Sequence, residues 1–358
     1  MKFFVIAGEA SGDALGAALM AGLKALAPGV QFEGVGGPLM EAEGLVSRFP
    51  MEELSVMGLW EVLPKYRALK RRIAETAAAA AAARPDALIT IDSPDFCLRV
   101  ARAARDALPD LRTIHYVAPS VWAWRPGRAA KMAPFIDHVL ALLPFEPPYM
   151  TAAGMSCDFV GHPVVAEPRA TPAEAAAFRE TQMIGPEQPL VLCLPGSRRG
   201  EVRWPVAPIV VETAADKRAA FAAADLALAA SGTVSLELAA ARVPMVIGYD
   251  MAPLSRIVIS RLLRTDTVTL VNLVSETRMI PEFVGSHCRP GPMAAALLHL
   301  LEDDGARAAQ LAAMELTMQR LGEGGEAPGL RAARSVLAAL QGGKTRGRRH
   351  RTPGVFGR

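Results

Sequence analysis

Lysine is scarce in this chain of 358 residues, supplying only 7 of its 39 basic residues. Aromatics make up 6%, and runs such as Ala77 to Ala83 raise the apolar count without adding much core volume. Cysteine is limited to Cys97, Cys157, Cys193 and Cys288, far apart, with no C-x-x-C pair and no histidine-rich partner segment. That spacing excludes a disulfide framework and a zinc module, and predicts reduced thiols in a cytosolic setting. No window approaches the ~20 apolar residues of a membrane span. The five apolar residues Phe3 to Ala7 are too few for a signal peptide's apolar region.

Two phosphate signatures are also missing. Gly8-Glu-Ala-Ser-Gly-Asp13 does not fit G-x-G-x-x-G, so a dinucleotide fits poorly. No G-x-x-x-x-G-K-[ST] occurs to support a Walker loop. The net charge of +3 belongs to the end of the chain. Lys344, Arg346, Arg348, Arg349, Arg351 and Arg358 carry six positive charges without an acid, and removing them leaves the body at −3. The body is therefore not an obvious polyanion binder, no nucleic-acid partner is expected, and 342–358 reads as a basic, disordered tail, with contact to acidic lipid or nucleic acid as the alternative.

What is present is an alternation of strands and helices. Lys2–Ala7 is a short apolar strand, followed by a glycine turn and the helical spacing of Leu15, Leu19, Leu23 and Leu26. Strands follow at 32–35, 87–91, 112–117 and 139–142, with helices at 57–73, interrupted at Pro64, and at 98–108. A hinge at Gly161–Val164 and a linker at 167–172 precede a second cycle, with strands at 190–194, 209–211, 226–230 and 245–248. Helices follow at 292–301, 307–321 and 331–340. This predicts an α/β chain of two Rossmann-like domains facing across a cleft, 1–165 and 166–341.

Each candidate site has a bland alternative. Ser231-Gly232-Thr233 opens a helix and could hold a diphosphate at free backbone N–H groups, with Glu237 placed for a ribose; an ordinary cap by Ser231 is the alternative. Pro195-Gly196-Ser197-Arg198 could bind an anion through its guanidinium, or be a surface turn. Asp92 stands at the end of a buried strand, where a carboxylate can take a proton from a hydroxyl. Asp95 is expected to cap the next helix. The loop from His115 to Arg125 concentrates two of the four tryptophans, and His162 reads as structural.

Together these segments resemble the lipid-A-disaccharide synthase family. The resemblance rests on Gly8-Glu-Ala-Ser-Gly-Asp13, Met51-Glu-Glu-Leu-Ser-Val-Met-Gly58, Ile91-Asp-Ser-Pro-Asp-Phe96 and His115-Tyr-Val-Ala-Pro-Ser-Val-Trp-Ala-Trp-Arg125. Leu143-Pro-Phe-Glu146, Phe159-Val-Gly-His162, Leu194-Pro-Gly-Ser-Arg198, Ala230-Ser-Gly-Thr233 and Pro244-Met-Val-Ile-Gly-Tyr249 continue it in order to about Leu340.

The resemblance implies a B-type glycosyltransferase without metal or cofactor. Such an enzyme joins UDP-2,3-diacylglucosamine to the 6-hydroxyl of 2,3-diacylglucosamine 1-phosphate and releases UDP. It implies Asp92 as general base and Arg198 as neutraliser of the leaving diphosphate, with Glu9 and Ser11 lining the cleft. Ser197, Ser231, Gly232, Thr233, Glu237 and Asn272 would serve the donor.

The helix at 57–73 interleaves apolar and basic residues. It points to peripheral contact with the cytoplasmic face of the inner membrane through Leu59, Trp60 and Leu63; a core helix is the alternative. A homodimer stays open.

One region departs from the family. Only 31 residues separate Leu194 from Leu226, and a helix-strand-helix segment is missing between Trp204 and Ala207. This leaves two rivals open: a catalytically impaired lipid-binding relative, and a UDP-sugar transferase acting on another lipid acceptor.

Overall fold

The structure is a computed structural model describing residues 1–54, 59–195, 213–250 and 265–346, with side chains at 59–66 and 342–346 left undescribed. The expected strand at 209–211 and the residues Ser197 and Arg198 lie outside the described residues, as do the side chains of Leu59, Trp60 and Leu63.

The chain divides into two compact units, Met1–Pro163 with Glu326–Arg358, and Val164–Gly325. The first holds six parallel strands, β1 (Lys2–Ala7), β2 (Gln31–Val35), β3 (Ala87–Ile91), β4 (Thr113–Tyr116), β5 (His138–Ala141) and β6 (Ser156–Phe159). Their order is β2-β1-β3-β4-β5-β6, with Ala7 opposite Ile91 where β1 meets β3. β3, β4 and β5 are buried along their whole length, as expected of parallel strands covered on both faces. Helices α3 (Leu59–Ala83), α4 (Pro94–Ala107), α5 (Gly127–Met132) and α6 (Pro147–Ala152) supply the core on one face. Helix α1 (Ala10–Leu26) and the short α2 (Pro38–Ala42) cover the other.

The second unit begins with α7 (Pro172–Thr181) and carries four parallel strands, β7 (Val191–Leu194), β8 (Leu226–Ala229), β9 (Met245–Tyr249) and β10 (Glu282–Val284), in the order β10-β9-β8-β7. Its other helices are α8 (Ala214–Ala223), α9 (Val234–Ala240), α10 (Leu270–Ser275), α11 (Pro290–Glu302) and α12 (Asp304–Arg320).

The last helix, α13 (Pro328–Arg346), returns to the first unit, so the second ends near 325 and not at 341. Ala332, Ala333 and Val336 complete the α1-side core. A Cβ on Gly22 would sit 2.7 Å from the carbonyl oxygen of Gly329, so the two helices approach at glycine. His138 and Ser335 add a 2.8 Å hydrogen bond. The predicted break at Pro64 is absent: α3 runs through it.

Candidate active site

In an open α/β sheet, ligands gather where the strand order reverses, beyond the carboxyl ends of the strands. In the first unit that point lies between β1 and β3, because the chain leaves β1 toward β2 and later continues outward through β4 to β6. Glu9 follows β1 and Asp92 follows β3, so the switch point carries two carboxyls. Burial, then the charge of Asp92, then a hydrogen bond with Asp92 push the Glu9 carboxyl up to about 7. Glu9 therefore holds its proton to near neutral pH beside Asp92.

The backbone here is strained. Asp92 has φ 49° and Ser93 φ 40°, both left-handed without being glycine. The Ser93 amide donates to Asp92 Oδ1 at 2.9 Å, and the Asp92 amide donates to the carbonyl of Tyr116 at 3.0 Å. Gly8 makes this turn possible, since a Cβ there would lie 2.5 Å from Ser93 Oγ. One strand along, Val117 sits at φ 80°, and left-handed non-glycine residues of this kind cluster at functional sites. The expected cap by Asp95 is not made. Ser93 occupies the N-cap position, and the Asp95 side chain is 87% exposed. Ser11 is exposed in the first turn of α1.

The tryptophan loop is braced from below by Glu146, to which the sequence assigned no role. Glu146 is 4% exposed. It accepts from the Leu143 amide at 3.0 Å and from Trp122 Nε1 at 3.4 Å, and burial pushes it up to about 7. Trp122 meets Phe145 edge-on at 5.2 Å, and the Arg125 guanidinium lies 4.0 Å over Trp124. An acid directly after the apolar run Leu142–Phe145 is the signal that could have marked it. On β4, His115 is pushed down to about 4 by burial and by Arg128. It stays a neutral ring bonded to Thr90 Oγ1 at 2.8 Å.

In the second unit Ser231 does not cap α9. Its hydroxyl donates to the Val268 carbonyl at 3.0 Å, and Thr233 takes the N-cap position. Gly232 adopts φ 154°, with open space where a Cβ would be. Glu237 pairs with Lys217 of α8, and both line a cavity of about 400 Å³ with Arg169, Arg218, Phe221 and Arg242. Its carboxylate is thus matched by a lysine.

Asn272 is 1% exposed and its amide is used inside the unit. It donates to the Ile280 carbonyl at 2.9 Å and to Glu282 Oε1 at 3.0 Å, and accepts from the Ile280 amide at 3.0 Å. Glu282 also takes the Val268 and Thr269 amides at 3.1 and 2.9 Å. Burial would raise this carboxyl, but its hydrogen bonds hold it below the ordinary value. This leaves Asn272 as a brace for the strand ends around Ser231, whereas direct contact with the donor was expected. Among the described residues no group of three His, Cys, Asp or Glu is placed to hold a metal.

Two successive units, each built on a parallel sheet, define an α/β protein of the B-type glycosyltransferase fold. UDP-N-acetylglucosamine 2-epimerase from Neisseria meningitidis bound to UDP-GlcNAc has this fold, at TM-score 0.61 and 10% identity over 96% of this chain and all of its own. So does the calicheamicin glycosyltransferase CalG4, at TM-score 0.53 and 16% identity over 95% and 98%.

A family profile described as lipid-A-disaccharide synthetase matches residues 3–217 and 210–328. The lipid-A-disaccharide synthase of Ruegeria pomeroyi is 59% identical over 96% of each chain, and that of Rhodospirillum centenum is 43% identical over 99% of this chain and 98% of its own. The chain belongs to the lipid-A-disaccharide synthase family, and its function is the glycosyl transfer that forms the lipid A disaccharide. The Ruegeria alignment spans 390 positions, more than the 358 residues available. It must open gaps in this chain, and the profile breaks at 210–217, close to the predicted shortening.

Proposed function

We propose that Asp92 is the general base of a UDP-2,3-diacylglucosamine transferase and that Glu9 sets its basicity. The observation that carries this reading is the pair of carboxyls at the switch point of the first sheet. Asp92 takes the proton from the acceptor's 6-hydroxyl as that oxygen bonds to the donor's anomeric carbon. The bond from that carbon to the diphosphate breaks with inversion, and UDP leaves with the electron pair. One base and a stabilised leaving group suffice for such a step.

On the donor side, Arg198 with Ser197 would meet the diphosphate at its turn, and Gly232 with Thr233 would present backbone at α9. Ser231 and Asn272 hold that backbone in place. Glu237 can reach a ribose only by giving up Lys217. Asp92→Asn should lower turnover by about a hundredfold or more while UDP binding by calorimetry is unchanged; near-normal turnover overturns the assignment.

The acylated substrates place the work at a lipid surface. We assign the chain to the cytoplasmic face of the inner membrane as a peripheral protein, docked through Leu59, Trp60 and Leu63. Among the described residues no helix is long and apolar enough to cross a membrane. Trp60→Ser with Leu63→Ser should abolish co-sedimentation with anionic liposomes, and retained binding would contradict the docking.

A further inference from the structure

On the outer side of the first unit, α4 and α5 enclose an open groove of about 220 Å³. Its floor is apolar: Leu98, Met132 and Phe135 belong to the core beneath. Its rim carries four cations, Arg99, Arg102, Arg128 and Lys131, against the single carboxylate of Asp95.

Several arginines of this chain are neutralised by acidic neighbours. Arg72 bonds Glu53 and Glu75, Arg105 bonds Asp137, and Arg179 bonds Asp225. At the groove this stops. Among the described residues Arg99, Arg102 and Lys131 have no acidic partner, and Arg128 stands 3.9 Å from an Asp95 that is 87% exposed. Arg102 is held in place all the same, with its guanidinium 4.7 Å over the Phe135 ring and bonded to the Lys131 carbonyl at 3.5 Å. Arg99 and Arg102 lie three apart on one helix, as do Arg128 and Lys131 on the other. Like charges at that spacing repel, and the field of Arg128 is strong enough to help hold His115 neutral.

Four cations over an apolar floor match a phosphate on a sugar that also carries acyl chains. Guanidinium forks take phosphate oxygens in pairs, and methylenes cover the floor. The groove begins at Pro94 and Asp95, two residues beyond Asp92, and runs along α4 to Arg102. Eight residues of helix span about 12 Å. In a pyranose the anomeric carbon and the carbon bearing the 6-hydroxymethyl group flank the ring oxygen, so a sugar with its 6-hydroxyl at Asp92 keeps its anomeric phosphate within one ring's width of that carboxylate, beside the residues where the groove begins.

We infer that the α4–α5 groove seats the phosphate monoester of the glycolipid acceptor. The inference rests on the proposed role of Asp92 and extends it from the reacting hydroxyl to the charged end of the same substrate. A bilayer phospholipid is the alternative source of the same chemistry, and the test separates the two.

The probes are 2,3-diacylglucosamine 1-phosphate and its dephosphorylated form, each in neutral detergent micelles, bound to the full chain. The variant R99Q/R102Q/K131Q should bind the phosphorylated lipid at least tenfold more weakly than wild type and the dephosphorylated lipid equally well. The variant R67Q/K70Q/R71Q, which strips the same charge from α3, should leave both affinities in place. Unchanged binding of the phosphorylated lipid by the groove variant overturns the inference. Equal losses in both variants, matched by equal losses of anionic-vesicle binding, also overturn it, in favour of general docking to a bilayer. Asp92→Asn keeps the two hypotheses apart. If the wild type binds the phosphorylated lipid through the groove but Asp92→Asn transfers normally, the base assignment fails and the groove stands. If Asp92→Asn is inactive while the groove variant binds normally, the groove alone fails.

Discussion

Two carboxyls at one strand-end crevice are useful only if their protons are kept apart in pH. Glu9 has an ordinary value of 4.5 and is moved to about 7. Below that point it is a neutral donor to Asp92, and it draws charge from the base. Above it Glu9 is an anion and no longer donates to Asp92. Turnover should therefore rise as pH increases through about 7. Glu9→Gln keeps the size and the donor while removing the titration, so its pH–rate profile should be flat through 7 at the wild type's lower plateau. A step near 7 that survives in Glu9→Gln would separate Glu9 from the chemistry. The linkage to stability has the opposite sense. The folded chain binds a proton that the unfolded chain has released between about pH 4.5 and 7, so this site's contribution to stability falls as pH rises across that window.

At the scale of elements, one buried side chain organises the crevice's second wall. Asp13, on α1 and 3% exposed, accepts the amides of Gly37, Leu39 and Met40 at 2.9, 2.9 and 3.0 Å. It thereby caps α2 from another helix, and a Cβ on Gly37 would fall 2.6 Å from its carboxylate. Asp13→Ala strands three amides with no acceptor and should cost about 2–4 kcal/mol, read as a lowered midpoint in urea with an unchanged slope. A loss below about 0.5 kcal/mol would show that water replaces the carboxylate.

The elements of the first unit were legible because buried parallel strands are unbroken apolar runs: β1, β3 and β4 fall within a residue or two of their expected bounds. Short pieces were not. β6 and β10 are half-exposed and three or four residues long, too short for a period to emerge. Helix α10 has six residues and no turn chemistry at its start. At the site, Asp92 and Glu9 could be placed from strand ends, but the role of Glu146 depends on a contact across 24 residues. The internal engagement of Asn272 likewise depends on Ile280 and Glu282, and a single sequence does not reveal such pairings.

At the scale of the whole molecule the two units are unequal. The first sheet reverses direction between β1 and β3 and so possesses a switch point. The second is ordered β10-β9-β8-β7, so that among the described residues every step from β7 onward goes the same way. β7 alternates between exposed and half-buried positions, with Val191 37% exposed, as an uncovered edge strand would. A diphosphate pocket in an α/β sheet forms where strands depart on both sides. The alignment with the Ruegeria relative is longer than this chain, and the family profile matches in two segments that overlap at 210–217, between β7 and β8.

Ser231, Gly232, Thr233 and the Asn272–Glu282 brace are in place, which is half of the proposed donor wall. Half a wall predicts weakened binding of UDP and not its complete loss, with a Kd at least tenfold above that of the Ruegeria pomeroyi relative measured side by side by calorimetry. Grafting that relative's segment between Trp204 and Ala207 should recover the affinity. Equal affinities in the two native chains would mean that residues 196–212 rebuild the pocket by themselves. If UDP binding is absent and the graft does not restore it, the assignment of the donor wall to Ser231, Gly232 and Thr233 fails.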